Sequence, residues 1–217
     1  MRRLGNLVAG LCLVLLASAC GGTDEADPAP SDTDASAPES GDVGAASCTD
    51  LFTDEQAAEL VGSDVGTAQE GSAGQLPACQ WGSPTAGVQI LELPADEWIA
   101  QLPALIEGLE SSGLEITPDQ QRRLDEGLAL IDEGADAEEA CETFSTLAEI
   151  QGMPAGSDSV TNVFPSRQQP EVVSAQSCAD GRFVSVTFGS PQVGEDVDGA
   201  VAAAEEALST VQQNAGS

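Results

Sequence analysis

The densest apolar run of the chain, residues 7–17, follows Arg2 and Arg3 and gives way to Ala17, Ser18, Ala19 and then Cys20. A helix that crosses a bilayer needs roughly 20 apolar residues, so this run is too short to span. Its charged start, apolar centre and small-residue end predict a secretory signal, residues 1–19, with a lipoprotein processing site at Cys20. The leucine usual three places before such a cysteine is shifted to Leu16, with Ala17 in its place. The alternative is an ordinary signal cut after Ala19 that leaves Cys20 a free thiol. From 21 to 46 the pattern vanishes, and Val43 is the one large apolar residue among Gly, Pro, Ser, Ala and acids. Such a segment buries too little surface to offset its chain entropy. Residues 20–46 are therefore expected to be a lipidated N-terminus and a disordered acidic tether, reaching roughly 25–30 Å.

From Cys48 onward, periodicity appears. Thr53 with Gln56 three places on forms a capping box, Leu60 and Val61 turn inward, and Gly62 stops a short helix. A loop rich in Gly, Ser and acid is expected from there to Leu76. The segments 79–81 and 88–93 flank a turn-rich stretch and read as a β-hairpin. Trp98, Ile99, Leu102, Leu105, Ile106 and Leu109 recur at helical spacing, with Pro103 expected to kink or restart the helix and Gly113 to end it. Thr117-Pro118-Asp119-Gln120 signals a second helix start, with Leu124, Leu128 and Ile131 as its stripe. A third helix opens at Asp136, turns Cys141, Phe144, Leu147, Ala148 and Ile150 inward, and stops at Gly152. A short strand is expected over 160–164. Strands at 172–175 and 182–188 pair around Asp180-Gly181, a favoured hairpin turn. Val184, Val186 and Phe188 alternate with Ser185 and Thr187, which predicts one buried and one wet face. An alanine-rich helix over 198–213 presents Val201, Ala204, Leu208 and Val211, and 214–217 read as a disordered tail.

With Cys12 in the signal and Cys20 in the processing site, Cys48, Cys79, Cys141 and Cys178 remain for the exported domain. Four cysteines in an oxidising compartment read as two disulfides, with three connectivities open. No two are close enough for a thiolate metal knuckle. The two halves run alike: cysteine, nearby Phe (Phe52, Phe144), helix ending at glycine, long loop, second cysteine beside a hairpin, helix. If that likeness is a duplication, it pairs Cys48 with Cys79 and Cys141 with Cys178, separations of 31 and 37 residues. The alternative is a coincidence of common motifs. The expected fold class is α+β: an antiparallel sheet of hairpins packed against helices, in one domain over residues 47–213.

Composition narrows the chemistry. The chain has 37 acids, six arginines, and no lysine, histidine or tyrosine. Removing 1–19 leaves four arginines against 37 acids, a formal charge of −33. So negative a chain repels nucleic acid, whose binding requires cationic contacts to phosphate. Genomic base composition can produce the same bias. Without histidine there is no Ser-His-Asp or Cys-His nucleophile pair, and without lysine no Schiff base. Only Asp and Glu remain for catalysis, as in a glycosidase pair. Arg122 and Arg123 are the one basic pair left after processing, and Asp119 four before Arg123 and Glu126 four after Arg122 predict a solvated salt-bridged face. Asp196, Asp198 and Glu205 fall on the later positions of an EF-hand calcium loop. Gly194 stands where that loop's first aspartate belongs, and helix capping is the simpler reading of Asp196 and Asp198.

Cys48-x-x-Leu51-Phe52-Thr53 with a helix to Gly62, the Cys79-x-Trp81 hairpin to Leu93, and the strand and alanine-rich helix from Phe183 to Val211 together resemble a family of actinobacterial surface lipoproteins whose domain has no assigned function. The helical block over 95–152 is longer than that family's pattern. The resemblance implies an α+β envelope domain and brings no catalytic residues. The expected function is a non-enzymatic, cofactor-free cell-envelope lipoprotein, held on the extracytoplasmic side of the membrane by the lipid on Cys20. It is expected to bind a small ligand or an envelope protein. The rivals are a carboxylate-only hydrolase of envelope glycans and a structural or regulatory envelope protein.

Overall fold

The computed structural model describes residues 47–73, 76–83, 85–111, 122, 125, 127, 129, 131 and 134–216. The expected signal, Cys20, the expected tether and most of the expected helix that starts at Thr117-Pro118, including Arg123, Asp119 and Glu126, lie outside the described residues. After a single-turn helix α1 (Cys48–Leu51), the Thr53 hydroxyl accepts from the Gln56 N–H at 3.2 Å and Gln56 Oε1 accepts from the Thr53 N–H at 2.8 Å. This reciprocal cap opens α2 (Asp54–Val61), which Gly62 ends with φ at 76°. That left-handed conformation is one glycine adopts without steric cost.

Six strands follow: β1 (Gln69–Ala73), β2 (Leu76–Ser83), β3 (Ala86–Pro94), and, further along the chain, β4 (Ser159–Ser166), β5 (Gln169–Ala179) and β6 (Arg182–Gly189). They form one antiparallel sheet in the order β1-β2-β3-β6-β5-β4. The β5–β6 connection is the Asp180-Gly181 turn, with φ of 51° and 71° as a two-residue hairpin of the favoured twist demands. α3 (Ala95–Ser111) and α4 (Ala137–Ile150) lie between β3 and β4, and α5 (Val197–Ala215) closes the chain after a 3-10 turn (Pro191–Gly194).

Helices cover both faces of the sheet. Cys79, Trp81, Val88, Ile90, Val173, Val184, Val186 and Phe188 pack on one face against α1, α2 and α5. Leu91, Leu93, Cys178 and Phe183 pack on the other against α3 and α4, where Trp98 stacks on Phe183 at 4.6 Å and Phe144 meets both rings edge-on. Each core is sealed by one disulfide, Cys48–Cys79 on the first face and Cys141–Cys178 on the second. The α+β class and the presence of two disulfides are thus as the sequence predicts, and of the three open connectivities the one formed is that expected of a duplication.

The halves match in element order and in cysteine placement, and the sheet order pairs β1 with β4, β2 with β5 and β3 with β6 about its centre. They differ in handedness of cover. Only a twofold axis perpendicular to the sheet exchanges two adjacent antiparallel strands, and it leaves each face on its own side. Here the opening helix of one half lies on the first face and that of the other half on the second. The halves therefore share an order of elements without a rotation that superposes them.

Four expectations are corrected. The loop expected before Leu76 contains β1, an edge strand whose register on β2 runs from Gln69 opposite Gln80 to Ala73 opposite Leu76. The Ser185 face of β6 is covered instead of wet: Ser185 is 4% exposed, because α3 and α4 lie over it. Pro103 does not restart the helix: α3 runs unbroken from Ala95 to Ser111 with the proline exposed. The tail expected at 214–217 is helical to Ala215, and Asn214 Nδ2 donates to the Leu51 carbonyl at 2.9 Å, tying α5 to α1.

Candidate functional site

The sheet brings α2 beside the 3-10 turn and α5, which lie next to each other much later in the chain, and the two helices do not close on one another. Gly199, Ala200, Ala203 and Ala207 recur along one side of α5, too small to reach Gln56, Glu59 and Leu60 on α2. The gap is a groove of about 390 Å³. Its floor is apolar, made by Phe52, Phe188 and Val193, all at most 3% exposed. Its rim carries Glu59, Asp196 and Glu206.

One end of the groove is fixed by hydrogen bonds. Ser190 Oγ, buried, donates to the Val61 carbonyl at 2.7 Å and accepts from the Gln192 N–H at 3.2 Å, so the end of α2 is tied to the 3-10 turn. The Gln192 side chain crosses Gly62 so closely that a Cβ there would stand 2.4 Å from its Nε2. Below the floor, Phe52 meets Trp81 edge-on at 6.1 Å. The Trp81 indole N–H donates to Asp54 Oδ1 at 2.8 Å, and the same oxygen accepts from the Ala68 N–H at 2.9 Å. Movement at the floor is therefore passed to a tryptophan.

A second cavity lies inside the other layer, between the sheet and the end of α4. It is about 40 Å³, room for about two or three waters and far below the roughly 300 Å³ at which small-ligand pockets begin. Gln89, Ser174, Gln176, Ser185 and Thr187 supply its polar wall. Ser174 and Thr187 hydroxyls bond at 2.8 Å, and Gln151 Oε1 is buried with no hydrogen-bond partner among the described residues.

The residues singled out in sequence fall as follows. The four cysteines are structural bridges, as above. Asp196 Oδ1 accepts from the Gly199 N–H at 3.0 Å and caps α5. Asp198 pairs with Arg167, and Glu205 accepts from the Thr161 hydroxyl at 3.1 Å. The EF-hand likeness is thus not matched by convergence, and among the described residues no three His, Cys, Asp or Glu side chains group so as to hold a metal. Arg122 is exposed. Sequence reading missed the groove altogether. Its one legible sign was the small-residue side of α5, which reads equally well as ordinary helix composition. No protein-family model, curated protein or solved structure matches the chain.

Proposed function

We propose that the chain is an exported, lipid-anchored cell-envelope protein whose folded domain binds a ligand in the groove between α2 and α5. The observation that carries this reading is the groove itself. Its volume of about 390 Å³ falls in the range of small-molecule sites, and above its apolar floor Gln56, Glu59, Gln192, Asp196, Glu206 and Thr210 supply polar groups. Export is supported by the Arg2 to Cys20 pattern and by two disulfides, which persist in oxidising compartments. No helix among the described residues is long and apolar enough to cross a membrane, so attachment is assigned to the lipid on Cys20. The likeness to the actinobacterial surface lipoproteins points the same way.

A thermal-shift screen of cationic, neutral and anionic small molecules tests the groove, with Ala203→Trp as the control. Ala203 is half-buried on the surface of α5, so an indole there fills the groove without entering the core. Hits are expected to raise the melting temperature of the wild type and not of the variant. Equal shifts in both proteins, or none, contradict the reading.

A further inference from the structure

We infer that the ligand of the α2–α5 groove is a small organic cation, an amine or guanidinium head carried on an apolar body. This rests on the groove being the binding site. Among the groove's lining residues, Glu59, Asp196 and Glu206 carry the formal charge, and there is no arginine or lysine to offset them. The carboxylates stand on both walls, Glu59 on α2 and Glu206 on α5, with Asp196 at the α5 start. An anion entering between them meets repulsion from each side and no donor of opposite charge. A neutral ligand can donate a hydrogen bond to one of them but gains no attraction between opposite charges. A cation is attracted by both walls at once, and because the three carboxylates are exposed that attraction is screened by salt.

The floor decides the rest of the molecule. The floor of Phe52, Phe188 and Val193 is already buried, but beside it Leu60 on α2 and Ala200 and Ala203 on α5 are only partly buried and present apolar surface that a bare metal ion or a fully hydrated ammonium leaves uncovered. Covering it stabilises by the area removed from water. A head that meets the rim and a body that meets the floor use both features. The glutamates are not committed elsewhere: among the described residues, neither Glu59 nor Glu206 has a side-chain hydrogen bond or ion pair.

A series with one skeleton and three head groups tests this: 4-phenylbutylamine, 4-phenylbutanol and 4-phenylbutyrate, titrated into the mature protein and followed by amide chemical shifts and tryptophan fluorescence. The amine is expected to bind, to shift the Gly62 and Gly199 amides, and to weaken as salt is raised from low to high ionic strength. Glu59→Gln with Glu206→Gln is expected to weaken it on the order of tenfold and to leave the melting temperature nearly unchanged. Binding of the alcohol or the carboxylate as tightly as the amine overturns the inference while leaving the groove a binding site. Silence from all three also overturns it, and the wider screen with Ala203→Trp then decides separately whether the groove reading stands. An amine that binds with no loss in the double variant overturns the assignment to these two carboxylates.

Discussion

A variant with Cys48, Cys79, Cys141 and Cys178 all replaced by alanine is expected to be largely unfolded at physiological temperature. The bridges close loops of 31 and 37 residues. In the chain-entropy account each removes about 3.7 kcal/mol of freedom from the unfolded chain. Together they contribute roughly 7 kcal/mol, against a total stability of about 5–15 kcal/mol for a typical domain. Each bridge also ties a helix to the sheet on a different face, so losing both loosens both cores together. The variant lacking only Cys141 and Cys178 is expected to stay folded with about half that loss. Circular dichroism and urea unfolding check both. A quadruple variant that keeps a cooperative transition within about 2 kcal/mol of wild type contradicts this account of the fold.

Trp81→Ala is expected to cost about 3–5 kcal/mol, the range for removing a large aromatic from a core. Trp81 is 1% exposed, packs edge-on to Phe52, and donates its indole N–H to Asp54 at the start of α2. Its removal therefore opens a cavity beneath the groove floor and releases the helix that forms one wall. Trp81→Phe separates the two contributions. It keeps most of the apolar volume and loses one hydrogen bond to a charged group, about 1.5–3 kcal/mol. In both variants Trp98, in the other core, remains as the fluorescent reporter of urea unfolding. Ligand binding is expected to suffer in the alanine variant beyond the loss of stability, because Phe52 loses its support.

Much of the fold was legible where one residue type has a single strong local use. Thr53 with Gln56 marked a helix start, Gly62 its stop and Asp180-Gly181 a turn, while the four cysteines marked two disulfides with three connectivities open, the pairing that formed being the one expected if the halves were a duplication. β1 was hidden because Gln69-Glu70-Gly71-Ser72-Ala73 buries only Ala73. An edge strand held by backbone bonds to one neighbour needs no alternation of side chains. The cover over Ser185 was hidden for a different reason. Polar residues on alternate strand positions usually mean solvent, and only the placement of α3 and α4 makes that face an interior one with its own small polar cavity. The groove was the least legible feature. Its walls come from residues 52–60, 188–193 and 196–210, brought together by a sheet order that reverses between the halves. No local pattern announces that three segments meet and leave a gap.

The acidic composition acquires a location in the same way. As a count, 37 acids are explained by bias as readily as by function. Glu59 and Glu206 differ from most of them in facing a common apolar-floored cleft.

The most direct measurement is chemical-shift mapping of the mature, isotope-labelled protein saturated with the strongest hit of the small-molecule screen. The shifts are expected to be confined to α2, the 3-10 turn and α5, led by the amides of Gly62, Gln192 and Gly199. Shifts gathered instead around Gln89, Gln151 and Ser185, on the α3–α4 face, would contradict the groove as the binding site.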